Sequence, residues 1–327
     1  MLFIFASPLK SCGKVWDTLR GEEPPSVSEV KRLSKESPPV NQQRAPYAAP
    51  ARIANLEDKA VRESSGVVAS RRNPGLFWTH NDSGDGPNLY AFDRQGRKRG
   101  VWRVEGASAV DWEDIAAGPG PEPGRPYLYV GDTGDNDRAR SVVTVYRVAE
   151  PEITESDAAS DRKNPRPTAT AEAIRLKYPD GKHDAETLMV HPKTGDIYVL
   201  TKSLTVAGVY KLAAPYTSKQ VNTLARVGEL KMPTLFAGLL TGGDISPDGT
   251  RVVLCDYVAA YELTLPTAAP SSTSAVGFDA VWKQTPLVIE LGERAQGEAV
   301  CYSEDGSSVL ATSEKRNPPL IEVKRRK

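Results

Sequence analysis

Short apolar runs alternate with polar turns from about residue 51 to the end of the chain, and the same pattern recurs. An acidic or polar residue is followed by small and apolar residues, then by a turn rich in Gly, Pro, Asp and Asn, then by an apolar strand. Five copies begin at Ser65, Glu113, Glu186, Thr241 and Glu298. Self-similarity at this scale predicts an architecture built by repeating one supersecondary unit. The pattern predicts strands throughout and no long amphipathic helix.

Each complete repeat supplies about four strands, which is the content of one β-propeller blade. Repeat five ends after three strand-like runs, while residues 51–57 precede repeat one and have no repeat of their own. A propeller ring closes when an N-terminal strand completes the last blade, which removes the open sheet edge. The sequence therefore predicts an all-β, five-bladed β-propeller over residues 51–327, closed by an N-terminal strand. The long polar segment 150–168 leaves a six-bladed ring as the alternative.

Two shorter regions precede the predicted propeller. Residues 1–20 open with an apolar run too short to span a bilayer. We interpret them as the remnant of a signal or lipoprotein segment with Cys12 as the lipidated residue, and a frayed terminus is the alternative. Residues 21–50 are rich in Pro, Ser, Glu and Lys, which predicts a disordered tether. The arrangement predicts an extracytoplasmic protein that is secreted, periplasmic or attached to a membrane only through an N-terminal lipid.

Composition narrows the set of partners. The chain has 327 residues and a formal net charge of zero, with 39% hydrophobic and 26% charged residues. A neutral chain exerts no long-range attraction on nucleic acid, so no nucleic-acid partner is expected. The 3 cysteines permit at most one intramolecular disulfide. Cys255 and Cys301 are the candidates, and buried free thiols are the alternative.

Acidic residues recur at the start of the repeats. Glu113, Glu186 and Glu298 occupy the same point of three repeats, and Asp111 and Asp184 stand two residues before the first two of them. The first strand of a blade lines the axial channel, and residues two apart on a strand point the same way. We therefore expect these carboxylates to converge on the mouth of the channel, where like charges raise one another's pKa or require a cation.

The loops between second and third strands should lie on the same face. Residues 80–86 and 131–137 share an Asp-x-Gly-Asp pattern. Asp and Asn offer oxygen ligands to Ca²⁺, and Gly permits a sharp turn, although such loops are also typical of turns capped by their own side chains. Asp82 and Asp135 join the three glutamates as candidate metal ligands, with Asn136 as a further site residue. Ca²⁺ is the expected cofactor.

Candidates for proton transfer and anion binding lie in the same predicted loops. His80 and Asp132 are the candidates for proton transfer, and Lys202 and Arg316 are the candidates for holding anionic oxygens. His183 is a further candidate contact because it precedes an acidic position of repeat three. For each histidine, a loop residue that caps a turn is the alternative.

Four motifs resemble those of a largely uncharacterised group of bacterial exported propeller proteins, over about residues 51–323. They are Trp78-Thr-His-Asn-Asp-Ser-Gly, Asp111-Trp-Glu-Asp-Ile-Ala, Tyr129-Val-Gly-Asp-Thr-Gly-Asp-Asn and Asp184-Ala-Glu-Thr-Leu. More distantly, the inner strands that begin with Glu are similar to those of the esterase-like phytase group and of calcium-dependent gluconolactonase-type propellers. This resemblance implies Ca²⁺ held at the channel mouth by Glu113, Glu186 and Glu298, where it activates a phosphate ester or a lactone.

Two functions from different classes remain open at this point. One is a metal-dependent hydrolase of a phosphoester or lactone. The other is a non-catalytic surface propeller that binds a glycan, a peptide or a protein, because propellers support many unrelated functions. In both cases the expected ligand is a small molecule or polymer outside the cytoplasm.

Overall fold

The computed structural model describes residues 46–82, 84–233, 238–267 and 276–326. These residues form five antiparallel blades with almost no helix, which confirms the predicted five-bladed all-β propeller. The segment 1–20 interpreted as a signal remnant, and residues 21–45 of the predicted tether, lie outside the described residues.

The described strands are short and are separated by the predicted turns. In chain order they are β1 (Ala51–Asn55), β2 (Ser64–Ala69), β3 (Leu76–Asn81), β4 (Asn88–Asp93), β5 (Lys98–Arg103), β6 (Trp112–Pro119), β7 (Pro126–Asp132), β8 (Val143–Ala149), β9 (Arg166–Pro167), β10 (Glu172–Lys177), β11 (Ala185–Val190), β12 (Ile197–Thr201), β13 (Ala207–Leu212), β14 (Asn222–Thr223), β15 (Ala225–Leu230), β16 (Gly242–Ile245), β17 (Arg251–Cys255), β18 (Ala259–Thr264), β19 (Leu287–Glu290), β20 (Gly297–Tyr302), β21 (Ser308–Ser313) and β22 (Pro319–Lys324). Two 3₁₀ helices, Glu155–Ala159 and Phe278–Lys283, complete the described elements.

Four strands make each blade, as the repeats predict. Blade 1 contains β2 to β5, blade 2 contains β6, β7, β8 and β10, blade 3 contains β11, β12, β13 and β15, blade 4 contains β16 to β19, and blade 5 contains β20, β21, β22 and β1. The short strands β9 and β14 pair in parallel with the outer strands of blades 1 and 2 and cover part of their exposed edges. Segment 150–168 therefore supplies a 3₁₀ helix and an edge strand rather than a sixth blade.

The ring closes as predicted, because β1 pairs antiparallel with β22 and places Ala51 opposite Glu322. Residues 46–50, which the sequence analysis assigned to the tether, extend this closure. Tyr47 is buried, and its hydroxyl donates to Glu262 of blade 4 at 2.6 Å. Arg325 pairs with the same carboxylate at 3.1 Å. The packed region thus begins slightly before β1, since Tyr47 buries its ring and satisfies its hydroxyl there.

The hydrophobic core is divided into five clusters, one between each pair of adjacent blades. The cluster between blades 1 and 2, for example, contains Trp78 from β3 and Trp112 from β6, both fully buried. Each blade buries both of its faces against its neighbours, so the strand residues are apolar on both faces. Because each blade is fixed on two sides, the ends of the five inner strands are held around one axis.

Candidate functional site

The inner strand of blade 2 begins with a β-bulge. Trp112 pairs with Asp132 and Asp114 pairs with Gly131, so Glu113 has no partner across the ladder. A bulge inserts one extra residue into a strand and redirects its side chain, often beside a functional site. The extra residue here is a glutamate of the recurring acidic position.

The same irregularity occurs at the aligned residue of three other blades. The register shifts across Ser65 in blade 1, Glu186 in blade 3 and Glu298 in blade 5. Blade 4 has Thr241 at the aligned position, and the pairing of β16 with β17 is regular. Every glutamate of the aligned set therefore lies in a bulge, and all three are buried.

Three carboxylates meet at one side of the channel mouth. Asp82 follows β3, Asp111 precedes β6, and Glu113 is the bulged residue of β6. Each offers one oxygen, and these oxygens lie within 4.8 Å of one another. Two oxygens bound to one Ca²⁺ at 2.3–2.6 Å can be at most about 5 Å apart. This donor set, which we call the acidic trio, therefore fits a calcium ion.

Gly134 packs directly against the acidic trio. A Cβ atom at this position would lie 2.1 Å from Oε1 of Glu113 and 2.4 Å from Oδ2 of Asp111. The two carboxylates can occupy their positions only because residue 134 has no side chain. Packing therefore requires the glycine of the Asp-x-Gly-Asp pattern. The sequence alone indicates only that this glycine permits a sharp turn.

The loop that carries Gly134 is braced by Arg140. The guanidinium forms an ion pair with Asp132 at 2.8 Å and donates to the carbonyl of Gly134 at 2.8 Å. Asp132 also accepts the backbone N–H of Asp111 at 3.2 Å. The carboxylate of Asp132, a candidate for proton transfer, therefore binds the arginine that stabilises the loop and the backbone of Asp111. No motif in the sequence singles out Arg140.

Asp135, a candidate metal ligand, is likewise engaged by its own loop. Its two oxygens accept the backbone N–H groups of Ala139 and Arg140, each at 2.8 Å. Its own N–H donates to Asp184 of blade 3 at 2.8 Å. Asp135 therefore caps a turn and links blades 2 and 3, and it is not a member of the acidic trio. Asn136 lies half-buried in the same loop.

The mouth also contains a buried cation. Lys202 and Glu186 form an ion pair, with only 6% and 8% of their side-chain surfaces exposed. The lysine Nζ also lies 5.4 Å from the ring centroid of Tyr257. Glu298 accepts a hydrogen bond from Gln296 at 2.9 Å. Of the three aligned glutamates, Glu113 belongs to the acidic trio and Glu186 is paired with the lysine.

The pKa values of the mouth carboxylates are raised. Burial is the main cause for all of them, and neighbouring negative charges add to it. The pKa of Asp111 is raised to about 6, that of Glu314 to about 7 and that of Glu186 to about 8. The pKa values of Glu113 and Glu298 lie well above the ordinary range, and the charge of Glu186 contributes to both. When these carboxylates are ionised, the positive charge at the mouth is too small to balance them.

Deeper in the channel, two aspartates hold the blades together. Asp114 of blade 2 accepts the N–H groups of Leu188 in blade 3 at 3.1 Å and of Gly243 in blade 4 at 3.2 Å. Asp244 of blade 4 accepts the N–H of Tyr302 in blade 5 at 3.0 Å. Asp114 and Asp244 thus hold different blades together through their backbone N–H groups.

His80 lies inside the interface between blades 1 and 2. It is fully buried, its Nδ1–H donates to the carbonyl of Asn81 at 2.8 Å, and its ring edge packs against Trp112. Burial lowers its pKa to about 4, so the imidazole is neutral at physiological pH. Within the described residues, Nε2 has no hydrogen-bond partner. The structure places this candidate base in the core rather than at the open face.

The remaining candidates lie at the margin of the mouth. His183 is partly exposed, with Nε2 3.0 Å from Asp180 and its ring against Tyr178. Arg316 is exposed, whereas Glu314 from the same loop is buried and feels the charge of Asp82. Arg316 is the residue of this loop that the sequence predicts for the site. In the structure, Glu314 occupies the position that corresponds to the mouth residues of the other loops.

The cysteine question is settled in favour of free thiols. Cys255 and Cys301 are both buried and unpaired by disulfide. The thiol of Cys255 donates to the carbonyl of Glu298 at 3.3 Å, and burial raises its pKa to about 12. Both residues therefore serve as small core side chains.

Comparisons with known proteins identify no sequence family. No protein-family model matches the chain, and no curated protein matches it. Among solved structures, it is similar to hydrazine synthase from Kuenenia stuttgartiensis, with 13% identity and a TM-score of 0.40 over 76% of this chain and 68% of that chain. A protein from Lactobacillus plantarum shows 13% identity and a TM-score of 0.38 over 77% of this chain and 64% of that chain. The resemblance to calcium-dependent propeller enzymes stays a prediction.

The described part of the chain contains no helix long and apolar enough to cross a membrane.

Proposed function

We propose that this protein binds a divalent cation, Ca²⁺ in the first place, on Asp82, Asp111 and Glu113, and uses it to hydrolyse a neutral ester such as a lactone. The observation that carries the proposal is the approach of three carboxylate oxygens to within 4.8 Å of one another. One of them is brought there by a β-bulge, and two of them fit only because residue 134 is glycine. Carboxylates that approach so closely raise one another's pKa or require a cation.

The ligand chemistry favours Ca²⁺. Carboxylate oxygens in an irregular shell, with room for carbonyls and waters, are what this ion accepts, whereas Mg²⁺ demands a nearly ideal octahedron. Two trio residues, Asp82 and Asp111, are only half-buried, so a bound ion would keep contact with solvent. Such open sites bind Ca²⁺ with dissociation constants of about 10⁻⁴–10⁻³ M in extracellular modules.

Two other carboxylates of the mouth are suited to proton transfer. A bound cation would supply Lewis-acid polarisation and lower the pKa of water. Glu186 and Glu314 have pKa values of about 8 and about 7, close to neutral pH. A group with such a pKa can accept a proton in one step and return it in the next. These residues replace His80 and Asp132 as our candidates for proton transfer.

The charge distribution favours a neutral substrate over a phosphate ester. The ammonium of Lys202 is paired with Glu186, the guanidinium of Arg140 is paired with Asp132, and Arg316 is exposed. The mouth carboxylates would repel a phosphate dianion, and a single Ca²⁺ would offset only part of that repulsion. A lactone or another uncharged ester would not be repelled by these carboxylates.

A non-catalytic binding propeller is the second candidate, and one residue favours it. Val110 is the one large hydrophobic residue that is exposed in the described ranges, with 60% of its surface accessible. It stands directly before Asp111 of the acidic trio. An apolar side chain at the rim of a cation site would suit a peptide or glycan that presents an apolar group there.

A thermal melt tests the cation site. The chain is melted in EDTA and then with Ca²⁺, Mg²⁺ or Mn²⁺ for the wild type, Glu113→Gln and the surface control Glu290→Gln. At 100 times the dissociation constant, a ligand stabilises the folded state by about 2.7 kcal/mol, or roughly 5–10 °C in the midpoint. We expect this shift with Ca²⁺ in the wild type and in the control, and none in Glu113→Gln. No shift with any ion would remove the cation site.

An activity screen then separates the two functions. Lactones, aryl esters and phosphomonoesters are tested with Ca²⁺ and with EDTA. Turnover of a neutral ester that requires Ca²⁺ and is lost in Glu113→Gln supports the hydrolase. A clear Ca²⁺ shift without turnover of any substrate would favour the binding propeller instead.

A further inference from the structure

The loop between β7 and β8 contains an arginine whose side chain binds the start of the same loop. One nitrogen of the Arg140 guanidinium pairs with Asp132 at 2.8 Å, and another donates to the carbonyl of Gly134 at 2.8 Å. The side chain of Arg140 is only 21% exposed, and that of Asp132 is 1% exposed. A planar guanidinium with donors in a fixed fork can hold two acceptors at once, and the ammonium of a lysine cannot reproduce that fork.

Both acceptors of Arg140 lead to the backbone of Asp111, a residue of the acidic trio. The carboxylate of Asp132 accepts the N–H of Asp111 at 3.2 Å and that of Val110 at 3.3 Å. The N–H of Gly134 donates to the carbonyl of Asp111 at 3.3 Å. The bonds thus close a ring, which we call the Arg140 network, through Arg140, Asp132, Asp111 and Gly134. Within it, the N–H and the C=O of Asp111 are both held.

The Arg140 network acts on the geometry of the acidic trio. A side chain at residue 134 would collide with Glu113 and Asp111, so the backbone of Gly134 lies directly against both carboxylates. Movement of this backbone, or of the backbone of Asp111, would separate the oxygens of the trio. Removal of groups that hold metal ligands in place typically weakens metal binding by about 10–100-fold.

Other bonds maintain the fold of the loop. The two oxygens of Asp135 accept the N–H groups of Ala139 and Arg140, and the hydroxyl of Thr133 donates to the carbonyl of Ala185 at 2.8 Å. None of these bonds uses the side chain of Arg140. A substitution of Arg140 should therefore leave the loop folded and break the Arg140 network.

Charge and geometry predict opposite effects of Arg140 on cation binding. Its charge reaches Asp111, whose pKa it lowers against the larger effects of burial and of neighbouring carboxylates. A positive charge beside a cation site repels the cation, so the charge alone would weaken binding. The ion pair with the buried carboxylate of Asp132 offsets that charge. We therefore expect the geometric effect, which strengthens binding, to be the larger of the two.

We propose that Arg140 is a positioning residue for the cation site, which holds Gly134 and the backbone of Asp111 so that the acidic trio is preformed before the ion arrives. The proposal rests on the proposed cation site at the acidic trio. It gives Arg140 a role in cation affinity rather than in the stability of the propeller.

Cation affinity is the direct test. The full chain is titrated with Tb³⁺, an ion that also prefers oxygen ligands, and binding is followed by luminescence and by displacement with Ca²⁺. We expect the dissociation constants for both ions to rise by about 10–100-fold in Arg140→Met. Arg140→Lys keeps the charge and loses the fork, so it should also bind at least about 10-fold more weakly than the wild type.

Two measurements separate positioning from a merely structural role. Arg125→Met is the matched control, because Arg125 forms an ion pair with Glu122 in the turn between β6 and β7, and its dissociation constants should equal those of the wild type. Melting in EDTA then reports stability without the ion. The midpoints of Arg140→Met and Arg125→Met should differ by less than the shift that Ca²⁺ produces in the wild type.

The outcomes distinguish this inference from the proposed function. Binding by Arg140→Met that equals or exceeds that of the wild type would overturn the role of Arg140 and leave the acidic trio as the cation site. Wild-type affinity in Arg140→Lys would overturn it too, because charge without the fork would then suffice. If Arg140→Met does not fold, Arg140→Lys decides: weak binding supports the positioning role. A wild type that binds neither ion would remove both the cation site and the role of Arg140.

Discussion

Blades 2 and 4 are built from the same repeat, yet they differ where they meet the channel mouth. In blade 2 the ladder between β6 and β7 slips by one residue, and Glu113 leaves the ladder for the acidic trio. In blade 4 the pairing of β16 with β17 is regular, and Thr241 at the aligned position donates its N–H to Cys255 at 2.9 Å. The extra residue in β6 thus brings a glutamate to the mouth, and blade 4, which lacks the extra residue, has no carboxylate at the aligned position.

The two blades are alike one layer deeper. Asp114 of blade 2 and Asp244 of blade 4 each accept backbone N–H groups from neighbouring blades. Glu113 and Asp114 are therefore neighbours in sequence with different tasks. The bulged residue is available for a ligand, and the next residue fastens the ring. The predictions below separate these two tasks.

Loss of Asp114 should have the largest effect. Asp114→Ala leaves the N–H groups of Leu188 and Gly243 without their acceptor inside the channel, and we expect the free energy of unfolding to fall by about 3–5 kcal/mol. Urea unfolding monitored by tryptophan fluorescence measures it. Asp305→Ala, which removes a hairpin-turn aspartate, should cost about 1 kcal/mol or less. Equal losses in the two variants would contradict the blade-fastening role.

Gly134→Ala should remove the cation response and leave the fold. The new Cβ would meet Oε1 of Glu113 and Oδ2 of Asp111, which are side-chain ends able to swing away from the site. We expect loss of the Ca²⁺ stabilisation of about 2.7 kcal/mol at 100 times the dissociation constant. Gly277→Ala is the matched control, since a Cβ there meets nothing within 4 Å. A full Ca²⁺ shift in Gly134→Ala would show that the ion binds elsewhere.

Without Ca²⁺, stability should fall as pH rises from about 5 to about 9. The pKa values of Glu186 and Glu314 are raised from 4.5 to about 8 and about 7 in the folded state. Between those values the folded chain binds protons that the unfolded chain has released, so unfolding becomes easier with rising pH. The loss should amount to several kcal/mol, because each unit of pKa shift is worth about 1.4 kcal/mol, and it is measured as the melting midpoint in EDTA.

Two measurements sharpen this pH dependence. Glu314→Gln should flatten the decline, because it removes one of the groups whose ionisation opposes folding. The Ca²⁺-induced shift should be small at pH 5 and grow toward pH 8, since protons compete with the cation for the carboxylates. An unchanged slope in Glu314→Gln would exclude this residue as a source of the effect.

Thr241→Val should have the smallest effect. Its hydroxyl makes only long contacts, at 3.4 Å to the carbonyl of Cys255 and 3.5 Å to that of Gly297. We expect a cost of about 1 kcal/mol or less and an unchanged Ca²⁺ response, against the complete loss in Glu113→Gln. Loss of the response in Thr241→Val would mean that blade 4 also contributes to the cation site.

The fold could be predicted closely because its signals are local and repeated. Short apolar runs bounded by polar turns predict the strands, and the leftover N-terminal strand matches the strand missing from repeat five. The recurring acids also drew attention to the ends of the inner strands. The pairing of Cys255 and Cys301 was left open, because only interatomic distance decides between a disulfide and two thiols.

The candidate site was predicted less completely. His80 has the sequence surroundings of a site histidine, yet it is fully buried between two blades. Asp132 is predicted for proton transfer and Asp135 as a metal ligand, yet in the structure the oxygens of both accept backbone N–H groups, and Asp132 pairs with Arg140. A residue type shows what a side chain can do, but its partners are set by parts of the chain that are distant in sequence.

The sequence by itself determined the repeat, the strand that closes the ring and the recurrence of acids at one point of the repeat, because period is a property of a linear pattern. The structure decided for five blades over the alternative of six. Only the tertiary structure decided which acids meet. Strand register and contacts between blades place Glu113 in a β-bulge and leave no space for a side chain at Gly134. They also bring Lys202 to Glu186. A shift of one residue leaves the pattern of a strand unchanged and yet redirects a charged side chain.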